Sequence, residues 1–355
     1  LYKRLLFKYG FSFIVLLLII AGCSKDDVEE EKEQVAINEN NDNPFEIDEE
    51  DTVIMGSIGH SFVNIEVDDN DEVIPLTYDG DELVLDYSVQ AEGKATNIGF
   101  LVYVDGIAQP YKLNTTESDY QYMHIFDLEE EGVDTPFQFI FTPITGKEGE
   151  TVNVTITSIY NPSFIPDMKE TTSYGGYHHP LSVIRPIEFH ENPESLNMND
   201  LPTHKVLNDI SISTEPVTDD FLEKLGGGVT TIDSEMLDTN VFNFVEIEDK
   251  PDNETNFQIT DQGNLHMKLK ILGHPGVAYQ NTFYLNHQAL SDQEGNTSFE
   301  TKLTKGDVSV IDVEIDIDTL DDFSTFYVVS TPVNPEDFYE NVLTPLKTPS
   351  VLLYK

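Results

Sequence analysis

The chain has one cysteine and no tryptophan in 355 residues, and its 19 lysines and arginines stand against 66 aspartates and glutamates. A lone cysteine permits no disulfide within the chain, so stability must come from packed cores. Without tryptophan, any stacking platform for a sugar would have to be built from tyrosine or phenylalanine. The formal charge of −47 repels a phosphate backbone, which excludes nucleic acid as a partner. It also repels an anionic bilayer surface, so attachment there would need lipid and not protein charge. Standard catalytic and cofactor signatures are missing: there is no Gly-rich phosphate loop after a strand, no His-Glu-x-x-His and no Gly-x-Ser-x-Gly. The apolar run at 11–22 is shorter than the about 20 residues that cross a bilayer.

That run nevertheless has an informative setting. Lys3, Arg4 and Lys8 precede it, Ala21 and Gly22 close it, and Cys23 follows, leading into Ser24–Lys25–Asp26–Asp27. A positive region, a short apolar region and small residues at a cleavage point form the order of a secretory signal. Ile20–Ala21–Gly22–Cys23 resembles a bacterial lipobox. The resemblance covers residues 1–24 and implies a lipoprotein: diacylglycerol on the Cys23 thiol, cleavage before it, and further acylation such as palmitate. Two acyl chains are enough for stable membrane attachment. The expected location is the cell membrane or outer membrane, with the chain facing outside the cytoplasm.

Loss of residues 1–22 removes three basic residues and no acidic one, moving the formal charge from −47 to −50. Residues 23–51 then form the lipidated cysteine and a tether; 24–51 alone carry thirteen acids and two lysines. So little apolar surface cannot offset the entropy of ordering, and the segment is expected to be disordered and extended by its own charge.

From about residue 56 the apolar period is two. Leu83, Leu85 and Tyr87 alternate with Val84, Asp86 and Ser88; Ile98–Val104 ends at the turn pair Asp105–Gly106; Thr151–Thr157 is apolar on one face only. Short strands with turn residues between them and almost no helical periodicity predict an all-β fold: two immunoglobulin-like β-sandwich domains at 52–166 and 206–355. Residues 167–205, with Pro180, Pro186 and Pro193, read as a linker or packed extension, where Pro186 suits a sheet edge. One short helix is expected after Thr218 as N-cap, ending at Gly226. The halves read as a divergent duplication. Glu82–Ser88 matches Asn264–Lys270, Phe100–Tyr103 matches Thr282–Leu285, and Phe137–Pro143 echoes Phe326–Pro332.

Hard oxygen ligands on loops suit Ca²⁺. Asp68, Asp69, Asp71, Asp79 and Asp81 are therefore the candidate calcium residues, with ordinary acidic turns as the competing reading. Asp312, Glu314, Asp316 and Asp318 alternate with apolar residues and read as the wet face of a strand. Tyr174, Tyr177 and His178 sit in a Gly-rich stretch and form a candidate binding patch, because rigid rings bury area at low entropic cost, with rings that only pin the linker to a domain as the competing reading.

The expected role is noncatalytic: a surface-anchored binding or structural lipoprotein that engages a protein, polymer or envelope component. The alternatives are a hydrolase acting on polysaccharide through paired carboxylates, which leave no motif, and solute capture for a transporter.

Overall fold

The computed structural model describes residues 56–93, 95, 97–114, 118–128, 132–165, 178–196, 201–202, 205–226, 232–250, 254–260, 263–333, 335–338 and 343–355. Cys23, its signal and the acidic tether lie outside them, as do Tyr174 and Tyr177. All the described residues belong to a compact unit, Ile54–Lys355. Among them, no helix is long and apolar enough to cross a membrane.

The first half contains β1 (Ser57–Phe62), β2 (Leu76–Tyr78), β3 (Leu83–Glu92), β4 (Asn97–Val104) and β5 (Ile107–Gln109). It continues with β6 (Lys112–Leu113), β7 (His124–Asp127), β8 (Thr135–Phe141), β9 (Thr151–Tyr160) and β10 (Pro180–Phe189). One sheet has the order β1-β3-β8-β6; the facing sheet runs β2-β10-β9-β4, with β5 and β7 both on β4. Strand β3 follows the period read from the sequence, burying Leu83, Leu85, Tyr87, Val89 and Ala91. Between the sheets, Tyr87 meets Phe62, Phe100 and Phe139 edge-on, with centroids 5.1, 5.9 and 5.1 Å away.

Strand β10 falls in the stretch that the sequence left as linker or packed extension, and it pairs with β9 from Pro180 to Glu188. On its other side β2 covers only Ile187–Phe189. Pro186 thus lies where that side of the strand needs no ladder donor.

The second half contains β11 (Ile210–Pro216), α1 (Asp219–Leu225), β12 (Val241–Ile247), β13 (Asn256–Gln258), β14 (Asn264–Gly273) and β15 (Ala278–Leu285). The remaining strands are β16 (Gln288–Ala289), β17 (Phe299–Lys302), β18 (Asp307–Asp316), β19 (Phe323–Pro332), β20 (Leu346–Lys347) and β21 (Val351–Tyr354). Helix α1 begins as expected, the Thr218 hydroxyl accepting from the Phe221 amide. It lays Phe221, Leu222 and Leu225 over Phe242 and Phe244 of β12. Asp312 and Glu314 of β18 lie opposite Lys268 and His266 of β14, each pair 3.3 Å apart. Asp312 and Glu314 therefore lie on a wet face with cross-strand partners, whereas Asp316 ends the strand and Asp318 falls in the 3-10 turn Ile317–Thr319 after it.

The two halves share a plan. In the second, β12-β14-β18-β11 repeats β1-β3-β8-β6, and β13-β21-β19-β15 repeats β2-β10-β9-β4, with β16 and β17 on β15. Even the parallel pair recurs, β2 with β10 and β13 with β21. A departure is the outer partner of β8 and β18: the two-residue β6 in one half, the leading strand β11 in the other. The architecture is all-β and two-domain, with sheets that are antiparallel apart from those two pairs.

Candidate functional site

Strand β4 shows why the halves stay together. Ile98, Phe100, Val102 and Val104 point into the first core, yet Leu101 and Tyr103 on the opposite face are buried as well. A strand apolar on both faces needs cover on both. That cover is β15 and β19 of the other half: Leu101, Tyr103, Tyr122, Met123 and Ile159 form one core with Tyr284, Ala289, Tyr327 and Val329. The hairpins β4–β5 and β15–β16 fix the equivalence, since Val104 pairs with Ile107 as Leu285 pairs with Gln288. Tyr103 and Tyr284 are then the same position in each half, and the Tyr284 hydroxyl donates to the Tyr103 hydroxyl at 2.9 Å. Burial raises both phenols well above their ordinary pKa. A residue that meets its own counterpart lies on a pseudo-two-fold axis, the arrangement of an isologous dimer interface.

The turn residues then break the symmetry. Asp105 and Gly106 have φ of 51° and 75°; Asn286 and His287 have 50° and 64°. Glycine suits this left-handed position, whereas histidine is strained there. His287 makes contacts that glycine cannot. Its Nε2 lies 2.8 Å from the Pro162 carbonyl of the first half, and its Nδ1 lies 3.2 Å from the Tyr327 hydroxyl. A carbonyl only accepts, so Nε2 carries a proton. Burial lowers the pKa of the ring to about 4, which keeps it neutral, and Nδ1 then accepts from the Tyr327 phenol. Close by, the ammonium of Lys347 donates to the Thr348 carbonyl at 3.0 Å and the Ser350 hydroxyl at 2.8 Å, over the Tyr327 ring. Burial lowers that group to about 7.

An open groove of about 510 Å³ runs along the seam between the halves. Pro110, Tyr122, Ile144, Pro193 and Leu196 of the first half line it, with Gly295 and Thr297 of the second. The buried Gln109 side chain pins one wall. Its Nε2 donates to the Pro110 and Thr142 carbonyls at 2.8 and 3.1 Å, and its Oε1 accepts from the Ile144 amide at 2.9 Å. Gly146 has φ of 100° and packs where a Cβ would collide with the Phe189 ring. Tyr122 is only 3% exposed, so its ring forms floor and offers no free stacking face. Among the described lining residues Glu194 is the single carboxylate.

The residues singled out from sequence lie elsewhere. The Asp68 carboxylate accepts from the Asn70 and Glu72 amides at 2.8 and 2.9 Å, closing a turn. Those amide bonds hold its pKa below the usual carboxylate value. Asp69 and Asp71 are exposed in the same turn, and Asp81 is exposed in the next. Asp79 lies 3.1 Å from His190 Nδ1. Among the described residues, no three His, Cys, Asp or Glu side chains come together as metal ligands. His178 is 1% exposed; its ring meets that of His287 edge-on at 5.9 Å, inside the seam and away from any surface patch. Burial, with Lys347 and His287 nearby, lowers its pKa to about 3. Sequence reasoning missed the groove because its walls are loops joined by an interface no local pattern encodes. Its one available signal was the unbroken apolar run of β4.

No protein-family model matches the chain, and no curated protein matches it. Solved structures align at low similarity. One is described as BspA_C_WT, with 8% identity and a TM-score of 0.22 over 81% of this chain and 98% of that one. A second, BspA_C_mut, gives 8% and 0.20 over 84% and 98%. The C-terminal domain of the Streptococcus pyogenes antigen I/II-family protein AspA gives 8% and 0.21 over 84% and 99%.

Proposed function

We propose that this chain is a noncatalytic binding lipoprotein, held outside the cytoplasm by lipid on Cys23, whose groove between the sandwiches takes an extended polypeptide. The two domains are read as immunoglobulin-like sandwiches and as a divergent duplication, a reading supported by their common strand order. The carrying observation is the groove: one wall fixed by the three Gln109 bonds, the two halves joined through a buried face, and a proline-bearing lining that mixes apolar and polar groups. Rigid walls lower the entropic cost of binding. A lone carboxylate in the described lining favours binding over hydrolysis, which needs two. The buried Tyr122 ring favours an extended polypeptide over a stacked sugar, and the acidic surface favours a cationic sequence.

The test is binding of the full-length lipidated chain, on vesicles, to arrays of extended peptides of graded charge and of purified envelope polysaccharides. The reading expects saturable peptide binding without product, weakened at least tenfold by Ile144→Asp, and loss of vesicle attachment in Cys23→Ala. Turnover of a polysaccharide, or binding indifferent to Ile144→Asp, would contradict it.

A further inference from the structure

The connection between β1 and β2 is longer and greasier than the fold requires. It leaves Phe62, runs out and back as a small antiparallel hairpin with Val67 bridged to Val73, and returns at Leu76. Val63, Ile65, Val67, Val73 and Ile74 are 36 to 52% exposed. Glu66, Asp68, Asp69, Asp71 and Glu72 lie among them, with no lysine or arginine from 63 to 74. The second half supplies an internal control. Its matching connection, from Ile247 of β12 to Asn256 of β13, reads Glu-Asp-Lys-Pro-Asp-Asn-Glu-Thr and has no aliphatic residue at all. A polar link of that length joins the same two strands, so geometry does not demand the five aliphatics. Nor does the first core, since they stay exposed.

The hairpin is nonetheless rigid. Asp68 holds the tip through the Asn70 and Glu72 amides, its own amide donates to the Glu72 carbonyl at 2.8 Å, and the Ile74 amide donates to the Glu66 carbonyl at 2.9 Å. At the base, Arg185 donates to the Ile74 carbonyl at 3.3 Å and stacks on Phe62. Alternation puts Ile65, Val67 and Val73 on one face, with Glu66, Asp68 and Glu72 on the other. An ordered, unburied apolar face, backed by three carboxylates, with Asp69 and Asp71 at its tip and Arg185 at its base, is the form of a contact site.

We infer that the 63–74 hairpin is a second docking surface, independent of the groove, which inserts its Ile65–Val67–Val73 face into an apolar groove of a partner protein rimmed by lysine and arginine. Charge complementarity selects that occupant: five carboxylates would be repelled by an anionic bilayer, whereas a basic rim neutralises them.

The test places a photoreactive benzophenone amino acid at position 67 of the full chain, in cells that make the protein, with position 84 as an exposed control on the outer face of β3. The inference expects cross-linking from position 67 to a polypeptide, mapped beside lysine or arginine. Its yield should fall at least tenfold in Val73→Ser and in the pair Asp69→Lys with Glu72→Lys, with unchanged thermal unfolding. Cross-links to phospholipid alone, yields no higher than from position 84, or yields indifferent to charge reversal would overturn it.

Discussion

His287 shows how one side chain joins two domains. Its left-handed backbone costs on the order of 1–3 kcal/mol, and the bonds to Pro162 and Tyr327 offset that cost. Its pKa is about 4 in the fold against 6.5 unfolded, so the unfolded chain binds the extra proton between those values. The contribution is therefore complete above pH 6.5 and is lost as pH falls toward 4. Over pH 7 to 5 the loss is about 2 kcal/mol by linkage. His287→Asn tolerates the same backbone and cannot titrate, so urea unfolding at the two pH values should differ less in the variant by about that amount. An equal slope in both proteins would remove His287 from the account. The Tyr103–Tyr284 contact makes a separate prediction. Tyr284→Phe leaves a buried hydroxyl without its partner and should cost roughly 1–3 kcal/mol, whereas the double change to phenylalanine should cost less than the two single changes summed. Strict additivity in the unfolding free energies would deny the bond.

At the scale of elements, period-two strands were legible and their second faces were not. Leu83 to Ser88 alternates and was read correctly, the same period running on to Ala91, and the Thr218 cap of α1 was read correctly too. Residues Ile98–Val104 do not alternate, because the sheet they enter is covered on both sides. The common plan was visible in Glu82–Ser88 against Asn264–Lys270, since β3 and β14 hold the same place. The next match was one residue out of register: the hairpins align Tyr103 with Tyr284, not with Leu285. The third paired the wrong strands, because β8 corresponds to β18 and β9 to β19. Alternating strands resemble one another cheaply, and only turns and pairing order separate them. The same limit hid Gln109, a residue whose value lies in three bonds to neighbouring loops. Gln109→Leu should strand those groups and destabilise the first half by about 2–4 kcal/mol. Unfolding that matches the parent would show the wall stands without it.

For the whole molecule, charge and packing oppose each other. Sixty-six acids against 19 bases drive the chain to expand, and mutual repulsion between the halves grows at low salt. Added sodium chloride should therefore raise the thermal midpoint by screening, and a fall would mean that attractive ion pairs dominate. What resists the repulsion is the shared core around Tyr103 and Tyr284, which makes the groove a fixed feature and not a passing gap between two beads. The most direct measurement is native-state hydrogen exchange on the full chain, comparing the amides of β4 and β9 with those of β15 and β19. One body predicts that the most protected amides of both halves open with the same free energy and lose it together in Tyr284→Ala. If the halves open at separate energies, and that substitution alters only its own half, the joined structure on which the proposed groove depends is contradicted.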